Sequence, residues 1–203
     1  MLLLVTGASG AGKSTARQWI ADDLKPDVVC VELHDVAEVP AVPTLSWRPQ
    51  ATEAAVRRAC ELEAQGRHLL LSGDPVTAGE LVAAPSADQL RGLAVLLLDL
   101  DRNAQATRLS MRGDDPSLLV HHVAFAEWMR AHATDPTQRL EVIQTNGWDQ
   151  MRWHRCRVLR DEGRWTTTIL ETSRLPVAAV AAETLRWSRD ALAGQAPIMR
   201  VPA

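Results

Sequence analysis

Lysine is nearly missing from this chain. Among 22 basic side chains only Lys13 and Lys25 are not arginine. With the abundant alanine this resembles a GC-rich coding bias, and it makes a retained lysine informative. Long apolar runs are missing too. The longest, such as Leu93 to Leu98, fall far short of the ~20 residues a transmembrane helix needs, so no membrane partner is expected. Met1–Val5 has neither a positive region nor a cleavage site and reads as a strand rather than a signal peptide. Three cysteines, Cys30, Cys60 and Cys156, lie too far apart for a zinc spacing or a disulfide framework, and a reducing, cytoplasmic setting is the expectation. A positive excess is also absent. A formal net charge of −3 and a pI near 6.1 argue against a general nucleic-acid binder.

What remains is an ordinary globular composition, 46% apolar and 23% charged over 203 residues, enough for one compact domain with an elaboration. Its strongest motif is Gly7-Ala8-Ser9-Gly10-Ala11-Gly12-Lys13-Ser14-Thr15, a full G-x-x-x-x-G-K-[ST] match. The apolar Leu2–Val5 before it suits a strand buried on both faces. After it, Ala16, Trp19, Ile20 and Leu24 recur at helical spacing until Pro26. Such a loop turns backbone N–H groups inward at a helix N-terminus, so polyphosphate is held largely by main chain. Lys13 is positioned to reach the β- and γ-phosphates of ATP, and the Ser14 hydroxyl to complete a Mg²⁺ shell.

Onward the pattern alternates strand and helix, the mark of a parallel α/β sheet. Val28–Leu33 reads as a second strand ending at His34-Asp35, followed by a loop punctuated by Pro40, Pro43 and Pro49. Ala51–Gln65 reads as a helix stopped by Gly66, and His68–Gly73 as a third strand ending at Asp74. Leu93–Leu98 is a fourth strand ending at Asp99; helices are expected over 103–112 and 117–133. A fifth strand over Thr166–Leu170 precedes a helix from about Val177 to Leu192, and the last ten residues read as a loose tail.

In these features the chain resembles P-loop kinases of the nucleoside-monophosphate-kinase type, among them gluconate kinase, shikimate kinase and chloramphenicol phosphotransferase. The phosphate loop is the specific match; the rest is order and position, over roughly 1–112 and 166–192. The resemblance implies a P-loop NTPase three-layer α/β fold whose five-stranded parallel sheet has the order 2-3-1-4-5, with ATP at the C-terminal strand ends. It also implies a single domain over 1–192 with a helical lid or acceptor insert at about 102–165 and a tail over 193–203.

Several further residues then become candidates. Asp35 stands where relatives keep an acid at the acceptor hydroxyl, able to take up its proton; the alternative is a loop aspartate capping the next segment. His34 beside it reads more simply as structural. Asp74 occupies a position resembling Walker B and would serve Mg²⁺, but Asp99 fits the same pattern and the choice stays open. Asp101 reads as a helix cap. Arg108 and Arg112 lie one turn apart before Gly113, where similar kinases carry lid arginines that close over phosphate; the alternative is a solvated arginine face. Thr172-Ser173-Arg174 sits where relatives contact adenine.

Residues 117–165 have no counterpart in the resemblance. Their tryptophans (Trp128, Trp148, Trp153, Trp165) and arginines interleave as in nucleic-acid readers, but the intervening acids favour helices packing tryptophan inward with arginine outside. Trp47 and Arg48 are candidates to shape the acceptor pocket from the opposite loop. His121, His122 and His132 lack zinc spacing. Two function classes fit: a kinase moving the γ-phosphoryl of ATP to a small-molecule hydroxyl or phosphate acceptor, and an ATP-dependent switch. A GTPase is excluded, because neither lysine lies in an N/T-K-x-D motif. Acceptor identity and oligomeric state are open.

Overall fold

The computed structural model describes residues 1–42, 44–144 and 147–203; Pro43, expected in the proline-punctuated loop, lies outside them. Leucine-rich β1 (Leu2–Thr6) is buried along its whole length because it is the middle strand of the sheet. It pairs in parallel with β3 (His68–Ser72) on one side and β4 (Leu93–Asp99) on the other. β2 (Val28–Val31) lies outside β3 and β5 (Thr168–Glu171) outside β4, giving the five-stranded parallel order 2-3-1-4-5. Every chain crossover returns over a face of the sheet, so all C-terminal strand ends share one rim.

Helices cover both faces, completing the three layers. On one side α1 (Lys13–Ile20) and α8 (Val177–Leu192) bury Ala16, Ile20, Val180 and Trp187 against Leu3, Val5 and Leu96. Trp19, placed on this inner face by its spacing, is instead 57% exposed, because Ala16 and Ile20, one turn apart, form the contact stripe. On the other side α3 (Trp47–Ala64), α4 (Ala78–Ala83) and α7 (His154–Asp161) pack Val56, Leu62, Leu81, Cys156 and Leu159 onto Leu2, Leu4 and Leu71. Fully burying a leucine of this kind contributes roughly 1.5–3 kcal/mol.

Several boundaries shift, α1 ending at Ile20 and β5 running over Thr168–Glu171 among them. β2 stops at Val31, and Leu33–Val36 forms a short helix, α2, closed by a capping box between Glu32 and Asp35. α3 starts at Trp47, with Pro49 in its first turn, where a missing N–H costs nothing. The tail is not loose. Leu93 and Met199 exchange backbone hydrogen bonds of 2.9 and 2.8 Å, and Met199 is fully buried.

The β4–β5 connection carries α5 (Arg102–Arg112), α6 (Leu119–Thr134) and α7. Trp128 is buried and donates to the carbonyls of Gln138 and Arg139; Trp165 donates to that of Ala133. These tryptophans therefore pack into the molecule. Arg155 departs from the expected arginine exterior: it is 0% exposed, donates to the Ala84 carbonyl at 2.8 Å and meets Asp88 at 3.2 Å. It joins α7 to the end of α4, which places α7 in the core rather than in a lid.

Candidate active site

Between β1 and α1 the chain wraps a loop whose backbone only glycine can follow at its start. Gly7 has φ 151°, and a Cβ there would lie 2.4 Å from the Leu98 carbonyl oxygen. Lys13 opens α1 and is only 7% exposed; its Nζ donates to the Ala8 carbonyl at 3.0 Å. Burial, helped by the nearby Arg112 guanidinium, brings its ammonium down from 10.5 to about 8, against the opposing pull of Asp74 and Glu32. Among the described residues no carboxylate contacts this buried cation, which leaves it able to pair with an anion.

A cleft of about 320 Å³ opens above the loop, lined by Lys13, Ser14, Asp74, Pro75, Arg108 and Arg112 among others. Strand order explains who is present. β3 flanks β1 directly, so Asp74, just past its end, faces the phosphate loop. Asp99 also ends a strand beside β1, but its Oδ1 receives a hydrogen bond from Arg130 at 2.8 Å, and it does not line the cleft. Ser14 and Asp74 offer the hard oxygen donors that suit Mg²⁺, on the same cleft as the buried ammonium, so the residues present fit that ion.

Asp35 lies one step back from the cleft lining. Its Oδ2 accepts the Glu32 N–H at 2.7 Å as the capping-box acid, while its Oδ1 faces His34 Nε2 at 3.6 Å. Of the two expected roles, the geometry displays the cap: Asp35 closes the N-terminus of α2. His34 stands among carboxylates, with Glu32 at 3.5 Å and Asp74 at 4.0 Å. Glu32, His34 and Asp74 form the one group of metal-competent side chains among the described residues.

Glu32 was not legible from sequence. It pairs with Arg17 at 2.9 Å and fills the space over Gly73, where a Cβ would come within 2.4 Å of its carboxyl carbon. The glycine before Asp74 was the available signal. With the Leu33 N–H donating to Asp74 Oδ2 at 3.2 Å, this contact ties the ends of β2 and β3 together.

Arg108 reaches the loop from α5 but is already engaged. It donates to the carbonyls of Gly10 and Thr172 and to the Thr172 hydroxyl. Gln105, fully buried and absent from the sequence reading, holds the Ser9 carbonyl at 3.0 Å. Most of α5 is thus fastened to the phosphate loop. Arg112, at its end, is half-exposed and forked onto Asp114, with Gly113 as the C-cap. Asp101 is the α5 N-cap, accepting from Ala104 N at 2.8 Å.

A second cleft of about 330 Å³ continues on the far side of Arg108, walled by Leu175, Pro176, Val177 and Val180. Ser173 and Arg174 do not line it; they border a separate depression with Asp101 and Glu171. Trp47 and Arg48 open α3 on the opposite wall, where Arg48 pairs with the buried Glu80 and donates to the Pro75 carbonyl at 2.8 Å. No helix among the described residues is long and apolar enough to cross a membrane.

Solved structures share this fold. A gluconokinase from Sinorhizobium meliloti 1021 superposes with a TM-score of 0.52 at 18% identity, over 91% of this chain and 89% of that one. The fold is a three-layer α/β P-loop fold. An unliganded sugar kinase from Janibacter sp. HTCC2649 gives 0.52 at 17% identity, over 95% and 96%. The Pnkp1/Rnl/Hen1 RNA repair complex gives 0.50 at 16% identity, over 64% of this chain and 45% of that one. No protein-family model matches the sequence, and neither does any curated protein. The likeness is therefore one of backbone fold, while pairwise sequence likeness is low.

Proposed function

We propose that this protein is an ATP-dependent kinase transferring the γ-phosphoryl group to a small-molecule hydroxyl or phosphate acceptor, with Lys13, Asp35, Arg108 and Arg112 in catalytic roles. The observation that carries the reading is the buried Lys13 ammonium on a cleft shared with Ser14, Asp74 and Arg112. Residues Gly7 to Thr15 hold the polyphosphate through backbone N–H groups, and the cleft beyond Arg108 takes the nucleoside. The acceptor enters from the α2 and α3 side. Its oxygen attacks the γ-phosphorus, the bond to the β–γ bridging oxygen breaks, and ADP leaves with the bonding pair. A hydroxyl proton passes to Asp35. Lys13, Arg108 and Arg112 offset charge on the phosphoryl oxygens, the main source of catalysis in this chemistry. Ser14 and Asp74 would hold Mg²⁺, which would supply further charge neutralisation. The kinase names of the structural neighbours agree with this reading.

The test is Mg·ATP binding and ADP release across a panel of acceptors, with ATP alone as control. Lys13→Ala should remain folded, lose turnover and bind ATP more weakly. Unchanged binding and activity in a folded Lys13→Ala protein rules the proposal out. Acceptor-independent hydrolysis driven only by a protein partner favours the switch.

A further inference from the structure

Resting on the kinase reading above, we infer that the acceptor is a hydroxyl compound with no anionic group, either uncharged or bearing an amine, and not an acid or a phosphate. Charge is divided across the cleft. Its phosphate side carries Lys13, Arg108 and Arg112, all on the loop or on α5. On the acceptor side, built by β2, α2 and the residues after β3, Asp74 lines the cleft and Glu32 and Asp35 stand behind it.

An anionic acceptor would need a free cation on that second wall. Two arginines stand there, and both are neutralised internally. Arg17 is bound by Glu32 at 2.9 Å. Arg48 is forked onto Glu80, a buried acid additionally fixed by the Thr77 backbone and hydroxyl, and its remaining bond goes to the Pro75 carbonyl. Freeing Arg48 would leave Glu80 charged, buried and without its cation, which is strongly unfavourable. His34 is the other basic group on this wall, and Glu32, Asp35 and Asp74 all lie within 4.0 Å of its ring nitrogens. With Glu32 and Arg17 paired to each other, an incoming carboxylate or phosphate would face Asp35 and Asp74 and, among the described residues of this wall, no available guanidinium, and like charges so placed are disfavoured. A hydroxyl donates to these same oxygens, and an ammonium gains from them.

The experiment uses the whole chain with Mg·ATP and matched trios of acceptors sharing one carbon skeleton: an amino sugar, the parent sugar and the aldonic acid, with amino alcohols, polyols and hydroxy acids as further trios. We expect turnover with amine-bearing or neutral members and at least about a hundredfold lower kcat/KM for the acids. For an amine substrate KM should rise with added salt, and for a neutral one it should not. Turnover with an acid or phosphate member equal to its neutral counterpart overturns the inference, as does a panel in which no amine-bearing or neutral member reacts. Failure of the kinase reading is read separately, as ATP binding indifferent to Lys13→Ala.

Discussion

Lys13 gives the site a pH dependence whose sign is fixed. Its ammonium titrates at about 8 in the folded chain against 10.5 for an ordinary lysine. Between these values the unfolded chain holds more protons, so this residue's contribution to stability rises with pH across that window and is lost again as pH falls through about 8. Nucleotide binding runs the other way. Phosphate requires the charged form, so ATP affinity should be flat below pH 8 and fall by up to about tenfold per pH unit above it. Calorimetry at pH 7 to 9.5, in buffers of differing ionisation enthalpy, should show proton uptake on binding near pH 8.5. No uptake would mean that Lys13 is already fully charged. At the same scale, Asp74→Asn should raise the Mg²⁺ concentration for half-maximal turnover, whereas Asp99→Asn should mainly weaken folding by orphaning Arg130. Parallel Mg²⁺ titrations decide between them, and a selective defect in Asp99→Asn reverses the assignment.

Among the elements, α5 combines a fixed part and a free end. Gln105 and Arg108 fasten its middle to the carbonyls of Ser9 and Gly10, and Leu109 lies beside Gly10. Arg112 is held only by an exposed fork to Asp114. Lid motion should therefore begin at Arg112 and Gly113, with the helix up to Leu109 protected from hydrogen exchange even without nucleotide. Arg112→Ala should lower kcat by about 10- to 1000-fold with little change in ATP affinity. Arg112→Lys should recover only part, because an ammonium cannot reproduce the guanidinium fork. Wild-type turnover in Arg112→Ala would return this arginine to a solvated surface role.

Over the whole molecule, the segment at Met199 pairs with the start of β4 at the base of the sheet. Met199 bonds to Leu93 at the start of β4, and its side chain is fully buried among Leu2, Leu93 and Ala87 in the same core. Met199→Ala should cost about 2–5 kcal/mol, the range for deleting a large buried apolar side chain, measured as a lower urea midpoint with an unchanged slope. Loss of less than about 0.5 kcal/mol would mean that the core tolerates the tail's release. The two clefts lie at the opposite rim, so ATP affinity measured in dilute buffer should be unaffected.

The phosphate loop, its strand and its helix were determined by sequence alone, because local spacing and glycine geometry dictate them within one stretch of chain. The alternation of apolar runs and helical patterns likewise settled a parallel α/β sheet, and Asp101 as a cap followed from its place before α5. Other features needed the folded chain. Which aspartate faces the loop depended on Arg130, 31 residues beyond Asp99, neutralising one of two equivalent candidates. Glu32 and Gln105 were invisible because their partners, Gly73 and Ser9, are brought to them by strand order and not by spacing. Arg155 looked like one more surface arginine until α4 supplied carbonyls and Asp88 a counter-charge in the core. Sequence records periodicity and local turn chemistry; pairings between charges distant along the chain are set only when the sheet order puts them side by side.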